Sequence, residues 1–112
     1  MMWTKKRSKF GAIKTNGYDS KKESKRAWQL YQLQSAGEIK DLKEQVRYEL
    51  IPSQKGKDGK VIERPCSYIA DFVYSDRYGN ITVEDCKGFK TPEYKIKKKL
   101  MLFKYHIKIK ET

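Results

Sequence analysis

The sequence has very few of the residues that build zinc centres and histidine-based active sites. It holds two cysteines and one histidine among 112 residues. Cys66 and Cys86 lack the C-x-x-C spacing of a metal site and nothing suggests secretion, so we expect reduced thiols in a cytoplasmic protein. With His106 as the single histidine, a zinc site or a histidine-activated nucleophile has almost no material. The candidate catalytic groups are therefore carboxylates, lysines and hydroxyl groups.

Long apolar runs are also absent. No segment reaches the roughly 18 consecutive apolar residues of a transmembrane helix. The opening MMWTKKRSKFG lacks the apolar stretch of a signal peptide. We therefore expect no membrane partner, and a chain of this length predicts one domain with one modest core.

Acidic residues are scarce relative to basic ones, and the formal net charge is +12. The excess lies at the two ends: residues 1–26 and residues 87–112 each hold nine Lys and Arg against two acids, whereas residues 27–86 hold eight against ten. A solvated basic surface is the plain alternative. Such a charge in so small a chain, with aromatic residues among the lysines, more often indicates a polyanionic partner.

The pattern along the chain predicts a basic arm over residues 1–17 and a folded domain over 18–112. A helix follows Ser20, which is a good N-cap, with Glu23 completing an S-x-x-E capping box and Gly37 as its stop. Glu23 shares one helix face with four other residues, namely Ala27, Leu30, Tyr31 and Gln34.

Three strands are predicted next. Residues 45–51 alternate and place Val46, Tyr48 and Leu50 on one side, residues 66–76 form the second strand, and residues 81–88 form the third. The segment between the first two is a polar hairpin or loop with Asp58-Gly59 as its turn.

Thr91 and Pro92 open a second helix, whose predicted apolar stripe is Ile96, Leu100 and Phe103. His106 begins a predicted short last strand, HIKIK, and we assign it no functional role. The resulting order is αβββαβ, an α/β fold with a mixed sheet flanked by helices.

Acidic side chains occur inside the predicted second and third strands. Because side chains alternate along a strand, Asp85 and Lys87 share one face and Glu84 and Cys86 the other. In the second strand, one face is predicted to carry Ile69, Asp71 and Val73, and the opposite face Tyr68, Ala70 and Phe72.

A short hairpin would place Asp71 and Asp85 nearly opposite one another on strands about 4.8 Å apart. Two carboxylates that close repel each other unless a hard cation such as Mg²⁺ or Mn²⁺ lies between them. Glu23 could supply a third carboxylate, although its capping role alone explains its position. Solvated strand-end acids are the ordinary alternative for Asp71 and Asp85.

The set of Asp71 followed by Asp85-Cys86-Lys87, with a helix acid ahead of it, resembles the PD-(D/E)XK nuclease superfamily. The stretches DSKKE, SAGEIKDLKEQVRYELIP, YIADFVY and VEDCKGFKT together resemble a phage- and prophage-encoded family of PD-(D/E)XK phosphodiesterases long catalogued as a domain of unknown function. The resemblance covers residues 8–110 and implies the restriction-endonuclease-like αβββαβ core.

The resemblance also implies roles for particular residues. Glu23, Asp71 and Asp85 would be catalytic metal ligands, Lys87 the catalytic lysine, and Gln45 a supporting residue. Ala70 stands where the superfamily has its proline.

Other residues have weaker expectations. Glu84 is expected to be structural or on the surface, and Cys86 to pack against a helix. Phosphate contacts, with a solvated surface as the alternative, are expected for basic residues and one tyrosine near the second helix and in the arm, namely Tyr94, Lys95, Lys98, Lys99, Lys5, Lys6 and Arg7.

The function these expectations indicate is a Mg²⁺- or Mn²⁺-dependent DNA endonuclease. A chain too small for a separate sequence-reading domain favours branched DNA such as Holliday junctions, and a homodimer to cut two strands. The alternative is a DNA-binding or host-enzyme-inhibiting protein that keeps a nuclease-like fold without catalysis. An RNA-directed nuclease is a third class.

Overall fold

A computed structural model of the protein describes residues 20–86 and 89–112. The expected arm over residues 1–17 and the predicted catalytic Lys87 lie outside the described residues. The elements, in chain order, are α1 (Lys21–Ser35), β1 (Ile39–Ile51), β2 (Gln54–Lys55), β3 (Val61–Glu63), β4 (Cys66–Asp76), β5 (Ile81–Asp85), α2 (Pro92–Tyr105) and β6 (Lys110–Glu111).

Helix α1 begins and ends as its capping residues predict. The Ser20 side chain accepts a hydrogen bond from the backbone N–H of Glu23, and Gly37 follows the helix with φ of +80°. Ala27 and Leu30 are buried on the predicted face. The predicted amphipathic helix is therefore confirmed.

Four strands form the main sheet in the order β1-β4-β5-β6, and β2 and β3 form a separate small hairpin. β1 pairs antiparallel with β4, β4 antiparallel with β5, and β5 parallel with β6. The α/β fold with a mixed sheet is confirmed. β1 starts at Ile39, six residues earlier than predicted, because residues before Gln45 also pair with β4.

The two helices lie on opposite faces of this sheet. Adjacent residues of β5 show it, because Val83 belongs to a core cluster with Tyr94 and Met101 of α2, whereas Glu84 forms an ion pair with Arg26 of α1. Successive strand residues point to opposite faces. A second core cluster joins α1 to the sheet through Ala27, Leu30, Ile39, Phe72 and Tyr74.

The predicted apolar stripe of α2 is wrong at two of its three residues, whereas the third, Leu100, packs against the core. Ile96 and Phe103 are 60% and 82% exposed, and Tyr94 and Met101 are the buried residues. Tyr94 and Met101 are seven residues apart and so occupy the same face of the helix, opposite that of Ile96 and Phe103. The helix therefore turns Tyr94 and Met101, rather than Ile96 and Phe103, toward the sheet.

The predicted last strand is also shorter than expected. His106 is not in a strand but is the C-cap of α2 in the left-handed conformation, with φ of +58°, and its N–H bonds back to the helix. Strand pairing is limited to Lys110 and Glu111. The alternating residues before them cross from the helix end to the sheet.

The predicted face assignment of the second strand fails at Asp71. Tyr68 and Ala70 pack in the cluster that contains α2, but Phe72 packs in the cluster that contains α1. Gln45 of β1 lies between Glu44 and Val46, which pair with Phe72 and Ala70, and has φ of +55°. The change of side in β4, between Ala70 and Phe72, therefore lies directly beside a left-handed residue of β1.

No helix in residues 20–86 and 89–112 combines the length and the apolar character needed to cross a membrane.

Candidate active site

The register of β4 and β5 brings Asp71 and Asp85 together. Phe72 pairs with Glu84, and the residues next in register are Asp71 and Asp85. Both carboxylates also contribute to raising the pKa of Tyr68 and of Tyr94, which places them near the same two phenols. Directly opposite residues on antiparallel strands project to the same side of the sheet.

Asp85 is the buried member of the pair, with 1% of its surface exposed. The Tyr68 hydroxyl donates a hydrogen bond of 2.6 Å to Asp85 Oδ2. Burial, and then this hydrogen bond to a carboxylate, raise the pKa of Tyr68 far above its ordinary value, so the hydroxyl stays protonated near neutral pH. A charged carboxylate in the interior is tolerated when it accepts such bonds.

Asp71 is half-buried and accepts bonds at both oxygens. The backbone N–H of Cys86 donates to Asp71 Oδ2 over 2.8 Å, and the Gln45 amide donates to Asp71 Oδ1 over 3.4 Å. The first bond crosses from β5 to β4 just beyond their last pair. It fixes the Asp71 carboxylate beside the backbone of Cys86.

Glu23 joins the same group through Gln45. The Gln45 amide nitrogen lies 3.3 Å from Glu23 Oε2 as well as 3.4 Å from Asp71 Oδ1, so one side chain bridges the helix and the strand. Glu23 is 4% exposed despite standing in the first turn of α1. Its backbone N–H donates the capping hydrogen bond to Ser20, while its carboxylate contacts the Gln45 amide.

The oxygen atoms of these carboxylates can be compared with the ligands that a divalent metal ion requires. Within residues 20–86 and 89–112, no three His, Cys, Asp or Glu side chains are placed to hold one ion. The oxygen donors of Asp71 and Asp85 nevertheless suit Mg²⁺, which is usually held by one or two carboxylates with water and substrate phosphate completing its shell. The Gln45 amide lies between the carboxylates of Glu23 and Asp71 and contacts both.

Glu84 is structural, as expected, and fully buried on the α1 side. Arg26 donates two hydrogen bonds to its carboxylate, at 2.7 and 2.9 Å, and the Tyr74 hydroxyl donates a third. Burial alone would raise the pKa of Glu84, but the bonds from Arg26 and Tyr74 outweigh it and hold the pKa below its ordinary value. Burial and the same carboxylate raise the pKa of Tyr74 to about 12.

The two cysteines, Cys66 and Cys86, are free thiols. Burial is the largest cause that raises the pKa of Cys86 above its ordinary value, and Asp71 and Glu23 add to it. The thiol, which packs against the α1 core as expected, stays protonated and unreactive near neutral pH.

The expected phosphate-binding residues of α2 divide into two kinds. Tyr94 is buried and its hydroxyl donates to Glu111 Oε2 over 2.7 Å, and Lys98 forms an ion pair with the same oxygen at 3.0 Å. Lys95 and Lys99 are exposed. The remaining predicted site residues, Lys5, Lys6 and Arg7, lie with Lys87 outside the described residues.

Sequence reasoning missed Tyr68 and Glu111. Tyr68 looks like an ordinary core aromatic in an alternating strand, and only the fold shows its hydroxyl directed at Asp85. Glu111 is the penultimate residue of the sequence, with no motif around it. Its parallel pairing beside Asp85 could not be foreseen from spacing.

A family model matches residues 4–112, and its description is "Protein of unknown function (DUF1064)". No match was found among curated proteins. None was found among solved structures.

Proposed function

The chain belongs to the family described as Protein of unknown function (DUF1064), and for this member we propose a divalent-metal-dependent DNA endonuclease that hydrolyses phosphodiester bonds. The observation that carries the proposal is the placement of Asp71 opposite Asp85 at the end of the β4–β5 ladder, with Gln45 linking Asp71 to Glu23. Four residues of different elements meet at the point where the sheet alternation is interrupted.

The topology supports a member of the PD-(D/E)XK superfamily. Apart from the inserted β2–β3 hairpin, the chain follows the order helix, three antiparallel strands, helix, parallel strand. The acids occupy the second and third strands of that order, as the resemblance implies. A phage or prophage origin, with action in the cytoplasm of a bacterial host, belongs to the same proposal.

The residues have separate tasks in this mechanism. Asp71 and Asp85 would hold Mg²⁺ or Mn²⁺, and the bound ion would supply Lewis-acid chemistry to the phosphodiester. Tyr68 fixes the orientation of Asp85, and the N–H of Cys86 fixes that of Asp71. Gln45 keeps Glu23 turned toward the site. Lys87 would stabilise charge on the phosphate.

The proposed substrate is branched DNA, including four-way junctions in recombination or replication. A chain of 112 residues with a net charge of +12 is suited to recognising phosphate backbone and shape rather than base sequence. Cutting two strands requires two sites, so the proposed active form is a homodimer.

The decisive experiment compares cleavage by the wild type, Asp71→Asn and Asp85→Asn with and without Mg²⁺. Duplex, single-stranded, flap and four-way DNA are the substrates. Each substitution should abolish Mg²⁺-dependent cleavage while DNA binding persists, and Glu63→Gln, which removes an exposed carboxylate of β3, should cleave normally. Equal cleavage by wild type and Asp85→Asn would show that the enzyme proposal is wrong.

A non-catalytic DNA-binding protein, or an inhibitor of a host enzyme, is the other candidate. The same experiment distinguishes these candidates from an endonuclease, because neither would produce cleaved DNA with or without Mg²⁺. Sedimentation velocity on the free protein and its DNA complex tests the homodimer.

A further inference from the structure

A cleft between α2 and the end of the chain is lined by five lysines, Lys90, Lys95, Lys98, Lys99 and Lys108. Its volume is about 570 Å³, which falls within the roughly 300–1,000 Å³ of pockets that hold small ligands. Concave surfaces that carry charge of one sign concentrate the field and attract the opposite charge. The cleft is therefore suited to an anionic ligand.

The floor of this lysine cleft is apolar. Leu102, Ile109 and the ring of Tyr94 line it together with the aliphatic stems of the lysines. A free phosphate ion would use the cationic rim and leave this floor bare. A nucleotide has both parts, because its base presents an apolar flat face and its phosphate carries the charge.

Glu111 acts as an internal anion at one side of the cleft. Its carboxylate accepts a bond from the Tyr94 hydroxyl and pairs with Lys98 at 3.0 Å and Lys90 at 3.7 Å. The bond from Tyr94, followed by that from Lys98, holds the pKa of Glu111 below its ordinary value. Within the described part of the chain, Lys95, Lys99 and Lys108 form no such ion pair and present their charge to an incoming ligand.

The lysine cleft adjoins the carboxylates. Glu111 pairs with Asp85 in the parallel β5–β6 ladder, and the N–H of Thr112 donates to the Asp85 carbonyl over 3.0 Å. The Tyr94 ring, which lines the cleft, lies 6.4 Å from the ring of Tyr68, the residue that holds Asp85. A nucleic-acid strand seated in the cleft would lead directly to the candidate active site.

We propose that the lysine cleft binds a nucleotide of single-stranded DNA, with the base on Leu102 and Ile109 and the backbone phosphates on Lys95, Lys99 and Lys108. The inference rests on the proposed function and deepens it, because it assigns the unpaired strand of a branched substrate to a defined place. In a duplex the bases are stacked and paired, so their flat faces cannot reach the floor.

Fluorescence anisotropy in EDTA tests the charged rim. The probe is a labelled thymidine oligonucleotide of about 10 nucleotides, within the usual site size for single strands. Lys95→Gln/Lys99→Gln should weaken binding about tenfold and make the salt dependence less steep by about 1.4, or about 0.7 for each phosphate that is no longer neutralised. Lys57→Gln/Lys60→Gln, the same charge change in the β2–β3 hairpin, should stay within about twofold of wild type.

A second variant tests the apolar floor. Leu102 is 52% exposed, so Leu102→Ala should fold normally. It should weaken single-strand binding about fivefold and change binding to a duplex of the same length by less than about twofold. Equal losses for both forms would overturn the nucleotide site, as would equal losses in the cleft and hairpin lysine variants. Tighter binding of the matching RNA oligonucleotide would overturn the assignment to DNA.

Glu111→Gln adds a test of opposite sign. Removing the internal anion frees Lys90 and Lys98, and single-strand affinity should rise about threefold; an unchanged or lower affinity contradicts the proposal. All these measurements are made without metal. A failure of the cleft therefore leaves the cleavage test of Asp71 and Asp85 unaffected, and a protein that never cleaves can still bind through the cleft.

Discussion

At the scale of single residues, two neighbouring acids of β5 have different tasks. Glu84 is fully buried and receives donors from Arg26 and Tyr74, so it connects α1 to the central strands. Asp85 faces the other side and has a tyrosine donor suited to orienting it. Adjacent carboxylates thus divide between stability and the candidate site because a strand points them to opposite faces.

Glu84→Gln should lower the free energy of unfolding by about 3 kcal/mol, since breaking a buried pair leaves Arg26 without its anion. Urea unfolding at neutral pH measures the loss. Glu38→Gln breaks the exposed pair with Arg77 and should cost less than about 1 kcal/mol. Equal losses in the two variants would contradict the structural role of Glu84.

The pH dependence of the same variant follows from the lowered pKa of Glu84. A carboxyl whose pKa is lower in the folded state contributes stability that is complete above its unfolded value, near 4.5, and is lost as the pH falls through the folded value. The stability difference between wild type and Glu84→Gln should therefore shrink as the pH falls below 4.5. Thermal unfolding of both proteins from pH 7 to pH 3 tests this prediction. A stability difference that grows as the pH falls would contradict it.

Tyr68→Phe should separate folding from function. It removes the hydroxyl that donates to Asp85 Oδ2, and the unfolding free energy should fall by about 1–3 kcal/mol. Loss of a residue that orients a metal ligand typically reduces activity about 10- to 100-fold, so cleavage should fall by that factor.

Tyr31→Phe is the matched control for Tyr68→Phe. Its hydroxyl donates to Glu44 over 2.7 Å, away from the carboxylate pair. It should lose comparable stability and retain full cleavage under conditions where both variants are folded. Equal cleavage by the two variants would remove Tyr68 from the site.

At the scale of secondary-structure elements, the cluster of candidate site residues depends on an irregularity in strand β1. Two residues of β1, Asp41 and Gln45, have left-handed backbone conformations with φ of +57° and +55°. A non-glycine residue in this region is strained, and such strain often accompanies functional sites. At Gln45 the distortion carries the amide between Glu23 and Asp71.

Gln45→Gly should lower cleavage, because the bridge to Glu23 is removed. Glycine adopts positive φ without strain, but the lost bonds to Glu23 and Asp71 offset that relief, so the unfolding free energy should change by less than about 1 kcal/mol. Asp41→Gly relieves the same kind of strain away from these bonds, so it should gain about 0.5–1 kcal/mol and keep its activity. Chemical denaturation and single-turnover cleavage test both; a Gln45→Gly protein as active as wild type would show that the bridge has no role.

The sequence predicts those elements whose signals are local. Ser20, Gly37, Thr91 and Pro92 mark the helix ends, and alternation with a turn at Gly79 marks β4 and β5. The exposed stripe of α2 and the capping role of His106 depend on which face meets the sheet, and that is decided by tertiary packing. For the same reason the resemblance implied only a supporting role for Gln45, and its bridge between Glu23 and Asp71 was not predicted, because its φ angle is not encoded in the residue type.

At the scale of the whole molecule, the charge distribution sets how DNA would be held. The lysines of the carboxy-terminal quarter concentrate around the cleft beside Asp85, whereas the central strands carry the acids. Five further basic residues fall within 1–17, outside the described residues: Lys5, Lys6, Arg7, Lys9 and Lys14. The described members of both core clusters lie later in the chain.

Deleting residues 1–17 tests the proposed division into a basic arm and a folded domain. The melting temperature should stay within about 2 °C of the full chain, because the deletion keeps every core-cluster residue that the structure describes. Duplex affinity should fall and its salt dependence should become less steep by up to about 4.5, or about 0.9 for each of the five charges. Cleavage at saturating DNA should be unchanged, since Asp71 and Asp85 remain; a large drop in melting temperature, or an unaltered salt dependence, would contradict the division.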